Sequence, residues 1–97
     1  MSYKKYLLNS SKINKIIEQS FEDLKSIDSE IKIKYSNKII LIGDRSIDSV
    51  SLLNLLLLIE EKLKKEYKIN FSLLELDLFS SNKTVTISDL IKSIERL

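Results

Sequence analysis

One long leucine-rich segment constrains the fold more than any other part of the chain. It runs from about Ser49 to Tyr67, and its apolar residues recur at helical spacings. The predicted buried stripe consists of Leu52, Leu53, Leu56, Ile59 and Leu63, widened by Leu55. Each fully buried Leu contributes roughly 1.5–3 kcal/mol, so we expect this helix to be central. Asp48, directly before it, is the predicted N-cap.

Three further segments carry helical patterns. The first covers about residues 11–27, and Ser10 or Ser11 can cap its start. A short helix is predicted from about Leu73 to Ser80. The last opens at Thr86, because Asp89 follows three residues later in a pattern close to a capping box. The core stripes are Ile13, Ile16, Ile17, Phe21 and Leu24 in the first helix, and Ile87, Leu90, Ile91 and Ile94 in the last.

The connection between the first two helices, residues 28–47, allows two interpretations. Ile31, Ile33 and Tyr35 alternate with polar residues, and an apolar run follows at 39–42, so a hairpin turning at 36–38 is conceivable. A long loop laid over the helices explains the same pattern. We favour the loop, because an isolated two-stranded hairpin is only marginally stable. The sequence therefore predicts a single all-α domain, residues 1–97, with four helical segments and a long loop between the first two.

The composition limits the function. Sixteen basic and 14 acidic residues give a net charge of +2, which does not support a nucleic-acid-binding surface. The chain has no His and no Cys, so an enzyme or a metal site would lack its commonest groups. The longest apolar stretch, 52–59, is interrupted by Asn54 and is too short to span a membrane. The N-terminal residues contain no signal-peptide pattern, so we expect a cytoplasmic protein.

Ser49 is the strongest candidate for a functional residue. It follows Asp48 at the start of the central helix. There the unpaired backbone N–H groups and the positive end of the helix dipole favour a phosphate. Taken alone, the pair favours an ordinary helix start, because Ser and Asp are common there.

The surrounding pattern resembles the acyl carrier protein family. The residues that carry the resemblance are Asp48-Ser49-Val50, then Leu53, then Ile59-Glu60-Glu61-Lys62-Leu63. Glu60 and Glu61 follow the serine by eleven and twelve residues. The tail from Thr86 to Ile94 is similar to the last helix of the family, and the segment before it is similar to the short third helix. The resemblance covers roughly residues 11–97.

The resemblance implies a four-helix bundle that carries cargo and catalyses nothing itself. In this family a phosphopantetheinyl transferase moves 4′-phosphopantetheine from coenzyme A onto the serine that Ser49 matches. The thiol of that arm then carries acyl or aminoacyl groups as thioesters between the enzymes that load and transfer them. Asp48 matches part of the motif that the transferase recognises. The low acidity of this chain favours a specialised, freestanding carrier, which we expect to act as a monomer.

A patch beside Ser49 is the predicted docking surface for partner enzymes. It consists of Val50, Ser51, Asn54, Leu57, Glu60 and Glu61. A few small apolar side chains with acids suit a weak, transient interface, although core packing is the commoner role of a leucine.

An alternative function from a different class is a small helical protein–protein interaction module that is never modified. In that case Ser49 only begins the helix, and the leucine-rich helix binds a partner protein. A small enzyme is the least favoured function, because His, Cys and a paired-carboxylate motif are all missing from the sequence.

Overall fold

The computed structural model describes residues 8–43, 47–76, 79 and 84–96. Within these ranges the chain is mostly helical, with one small two-stranded sheet. Its elements are α1 (Ser10–Ile27), β1 (Ile40–Ile42), α2 (Ser49–Tyr67), a 3-10 helix (Leu73–Glu75), β2 (Val85–Thr86) and α3 (Ile87–Glu95). One hydrophobic core joins the three α-helices, and α1 packs against both others.

The start of α1 is set by a residue that the sequence analysis did not choose. Asn9 is the N-cap, and its side chain accepts a hydrogen bond of 2.9 Å from the Lys12 N–H. The prediction that Ser10 or Ser11 caps this helix is therefore wrong. The predicted core stripe of α1 is confirmed, because all five of its apolar residues are buried.

The bounds predicted for α2 agree with the structure, but its buried face is turned relative to the prediction. Leu55, Leu56, Ile59 and Leu63 are buried. Leu53 exposes 40% of its surface, whereas Ser51, which was placed in the predicted docking surface, is only 5% exposed. All residues from 52 to 58 are leucines except Asn54, so apolar side chains encircle this helix. Hydrophobic periodicity alone could not select the face that packs against α1.

The two strands come from distant parts of the chain. β1 pairs with β2 in antiparallel orientation, with Ile40 opposite Thr86. The pairing continues past the strands, because the Ile87 N–H donates to the Ile39 carbonyl at 3.0 Å. The hairpin alternative for residues 28–47 is therefore wrong: residues 31–36 are irregular, as the loop interpretation expects. The all-α prediction missed this sheet.

In the predicted short third helix, the structure describes a 3-10 helix at Leu73–Glu75, and Phe79 is helical. Leu73 is fully buried there and anchors the turn to the core. Residues 77, 78 and 80 of the predicted segment lie outside the described residues. The prediction of a mostly helical domain is thus correct. The described ranges form three α-helices, however, and not a four-helix bundle.

The capping box predicted for the last helix is confirmed. The Thr86 side chain accepts from the Asp89 N–H at 3.2 Å, and the Asp89 carboxylate accepts from the Thr86 N–H at 2.9 Å. Two backbone donors at the start of α3 are satisfied in this way. None of the helices in the described ranges combines the length and the apolarity that crossing a bilayer demands.

Candidate functional site at the start of α2

Ser49 is the first residue of α2 and is exposed to solvent. Asp48 before it has extended backbone angles, φ −75° and ψ 169°, so the helix begins between the two residues. The Leu52 N–H donates to the Asp48 carbonyl at 2.9 Å, which closes the first helical turn over Ser49. The serine hydroxyl is therefore offered to solvent from a capped, regular helix start.

The predicted cap at Asp48 is confirmed. Its Oδ1 accepts from the Ser51 N–H at 2.7 Å, and satisfies one of the donors that a helix start leaves unpaired. This backbone hydrogen bond is the main reason why the pKa of Asp48 is lowered from its ordinary value. The Ser51 hydroxyl lowers it further, although the hydrogen bond of that hydroxyl is directed at Asp28. Asp48 thus stays ionised and keeps its acceptor beside Ser49 at neutral pH.

Ser51 does not belong to an exposed docking patch, although the sequence placed it there. Its side chain is nearly buried, and its hydroxyl donates to Asp28 Oδ2 at 3.1 Å. Asp28 caps the C-terminus of α1. Ser51 therefore faces the junction between the first two helices and is not available to an approaching protein.

Four residues of the predicted patch do lie on the surface. Val50 is 67% exposed and Leu57 is 51% exposed, and Asn54 and Glu61 are exposed beside them. Leu53, which the sequence analysis assigned to the core, joins Val50 and Leu57 on the same helix face, because the three stand at i, i+3 and i+7. We call Val50, Leu53 and Leu57 the apolar strip.

Glu60, the sixth patch residue, is half-buried and has a structural contact. Its Oε2 accepts from the Leu73 N–H at 3.2 Å, which holds the 3-10 helix against α2. The following residue, Leu74, is 51% exposed and was not predicted as a site residue. Leu74 lies outside the leucine-rich helix, so no pattern in the sequence connected it with this site.

The lysines of α2 lie near its C-terminal end, as is typical of a solvated end of a helix. Lys62 Nζ lies 2.7 Å from Asp23 Oδ2 of α1, while Lys64 and Lys65 are exposed in the last turn. Cations there complement the negative end of the helix dipole. Because Lys62 contacts Asp23 and Ser51 contacts Asp28, α1 and α2 run in opposite directions.

An open polar cavity lies away from this site. Its lining includes Ser10 and Asn14 of α1, Asn37 of the connection and Lys92 of α3. An 18-residue helix is about 27 Å long, so this cavity is at the end of α1 opposite to Ser51 and Ser49. Every buried polar side-chain atom in the described residues has a hydrogen-bond partner. The cavity therefore contains no buried polar group that needs a ligand to satisfy it.

The described part of the chain contains no cluster of three or more His, Cys, Asp or Glu side chains suited to holding a metal ion. Comparison with protein-family models, with curated proteins and with solved structures found no match to this chain. The candidate functional site is therefore the start of α2, which combines an exposed serine, an aspartate cap and the adjoining apolar strip.

Proposed function

We propose that this protein is a carrier that holds acyl or aminoacyl groups as thioesters on a 4′-phosphopantetheine arm attached to Ser49. The observation that carries the proposal is the exposed Ser49 hydroxyl at the capped start of α2. An attachment point has to be reached by a transferase and has to let a long arm swing freely. Exposure next to a fixed helix start meets both requirements.

The partners of this carrier are a phosphopantetheinyl transferase and the enzymes that load and unload the arm, in the cytoplasm. The apolar strip supports this proposal, because it lies on the same helix as Ser49 and is exposed. Exposed Asn54 and Glu61 give the strip a polar border, and a small apolar patch of this kind suits an interface that must dissociate after each transfer. We propose that the carrier acts as a monomer.

The proposed fold is a reduced form of the carrier bundle. α1, α2 and α3 correspond to its three long helices, and the 3-10 helix at Leu73–Glu75 corresponds to the start of its short third helix. The strand pair between β1 and β2 ties the long connection to the last helix. It leaves the start of α2 uncovered, as a carrier requires.

Intact mass after incubation with coenzyme A, magnesium and a promiscuous phosphopantetheinyl transferase tests the proposal. Wild type is expected to gain the mass of one phosphopantetheine, and Ser49→Ala none. Ser10 supplies a matched control, because it too is an exposed serine that directly follows an N-cap, Asn9. Ser10→Ala should be modified like wild type. An unmodified wild type, or equal modification of Ser49→Ala, would refute the carrier function.

The second candidate function is an unmodified interaction module, and the apolar strip favours it as much as it favours a carrier. The two differ in their need for the serine hydroxyl. In the producing cell, Ser49→Ala would abolish the activity of a carrier and leave that of an interaction module intact, while polar replacements in the strip would impair both.

A further inference from the structure

Ser51 is held from two sides in the first turn of α2. Its N–H donates to Asp48 at 2.7 Å and its hydroxyl to Asp28 at 3.1 Å. Asp28 is itself fixed at the end of α1, because its N–H donates to the Leu24 carbonyl at 2.8 Å and its Oδ1 accepts from the Glu30 N–H at 3.1 Å. A chain of hydrogen bonds thus runs from the end of α1 to the cap of α2.

The contact between Asp28 and Ser51 joins residues that are 23 apart in sequence. A hydrogen bond to a carboxylate is stronger than one between neutral groups. The Ser51 side chain is nearly buried, so loss of its acceptor would leave a hydroxyl without its partner away from solvent. This contact therefore fixes the first turn of α2 relative to α1.

We propose that Asp28 is a positioning residue for the modification of Ser49, acting through the Ser51 hydroxyl. This inference rests on the proposed carrier function and adds to it a residue outside the resemblance motif. Ser49 lies two residues before Ser51 in the same helical turn, so a turn anchored at Ser51 holds the backbone of Ser49, and with it the base of its side chain, in one place. Helix ends fray when nothing holds them.

The reaction depends on that placement. The Ser49 oxygen forms a bond to the phosphorus on the pantetheine side of the coenzyme A pyrophosphate, and the bond from this phosphorus to the bridging oxygen breaks. Adenosine 3′,5′-bisphosphate leaves, and the hydroxyl proton passes to a base of the transferase or to water. Reacting atoms have to be held about 3–3.5 Å apart and aligned, and small displacements lower the rate steeply.

Transfer kinetics on a series of variants test the inference. The series consists of Asp28→Ala, Ser51→Ala, the double variant and Asp28→Asn, each assayed as substrate for the transferase. We expect each alanine variant to lower kcat about three- to tenfold, the effect of one lost hydrogen bond. We expect KM to stay within about twofold, since the docking surface is unchanged. The double variant should be no slower than the slower single variant, because the two residues act through one contact.

Two controls separate positioning from general stability. Asp28→Asn keeps a side chain that can bond to a hydroxyl in either amide orientation, so its kcat should stay close to that of wild type. Tyr35→Phe removes a hydrogen bond to Asn14 near the start of α1, far from Asp28, and should lower thermal stability without changing kcat. Because Asp28→Ala also alters the end of α1, Ser51→Ala serves as the variant that removes the hydroxyl alone.

The inference is overturned if Asp28→Ala and Ser51→Ala are modified at the wild-type kcat, or if Tyr35→Phe slows transfer as much as they do. It is also overturned if the effects of the two alanine variants on kcat simply multiply. These outcomes leave the carrier function standing, because the wild type is modified in all of them. An unmodified wild type would instead refute the carrier function and this inference with it.

Discussion

The Tyr35 hydroxyl donates a hydrogen bond of 2.7 Å to Asn14 Oδ1, across 21 residues of sequence. The Tyr35 ring also packs against Phe21, with ring centroids 5.8 Å apart. These two contacts fasten the irregular connection between α1 and α2 to α1. The connection is therefore held in place without forming a helix or a strand of its own at this point.

The first prediction concerns alkaline pH. Burial, and to a smaller extent the negative charge of Glu18, raise the pKa of Tyr35 to about 12. The unfolded chain releases this proton near pH 10, so the stabilisation by Tyr35 is complete below pH 10 and is lost as the pH rises through 12. Below pH 10, Tyr35→Phe should be less stable than wild type by about 0.5–1.5 kcal/mol.

Urea unfolding of both proteins between pH 7 and pH 12 measures this difference. The groups common to both proteins cancel in the comparison, so Tyr35 alone determines how the gap changes. The gap in free energy of unfolding should shrink above pH 10. A gap that stays constant to pH 12 would contradict the buried, neutral state of this hydroxyl.

The second prediction concerns the cap of α2. Asp48→Ala removes the acceptor for the Ser51 N–H, and should lower Tm at pH 7 by about 4–8 °C, the effect of one typical cap in a domain of this size. The pKa of Asp48 is lowered in the folded protein, so its contribution is present above about pH 4 and is lost as the pH falls further.

Asp48→Asn is the control, because the amide caps a helix without titrating. Thermal melts at pH 7 and pH 3 should show the Tm of wild type falling more than that of Asp48→Asn. Equal falls would mean that the carboxylate does not supply the cap.

The parts of the fold that were predictable depend on neighbours in sequence. The cap at Asp48 and the capping box of Thr86 and Asp89 join residues three apart, and the stripe of α1 repeats every three or four residues. Each follows from local hydrogen bonding or helical periodicity, so the pattern is written in consecutive residues. The exposed position of Ser49 follows from its place beside such a cap.

The parts that were not predictable depend on distant contacts. β2 is only two residues long, and its partner lies more than forty residues earlier, so neither strand shows a pattern that points to the other. The Asp28–Ser51 contact has the same character, and it withdraws Ser51 from the surface. In α2 the leucines surround the helix, and only packing against α1 determines that Leu55 is buried and Leu53 is not.

The third prediction tests which face of α2 is buried, by comparing two leucines of this helix. Leu55 is fully buried, whereas Leu53 is 40% exposed. Leu55→Ala should lower the free energy of unfolding by about 2–5 kcal/mol, through lost burial and the cavity left behind. Leu53→Ala should cost less than about 1 kcal/mol, as surface substitutions do. Denaturant titration of the pair measures both, and a larger loss for Leu53→Ala would show that the other face is buried.

The fourth prediction concerns the apolar strip and depends on the proposed carrier function. Val50 and Leu57 are more than half exposed, so Val50→Ser and Leu57→Ser should change the free energy of unfolding by no more than about 0.5 kcal/mol. If the transferase docks on the strip, each change removes an apolar contact worth about 1 kcal/mol and raises KM about fivefold. The serine hydroxyl is untouched, so kcat should hold.

Ile27→Ser is the matched control for the strip. Ile27 is 70% exposed, so its change to serine alters surface hydrophobicity by a similar amount. It is the last residue of α1 and lies outside the strip. Its KM should remain that of wild type. Because the two strip variants and the control differ in location and not in chemistry, equal KM values for all three would show that the transferase reaches Ser49 without contacting this face of α2.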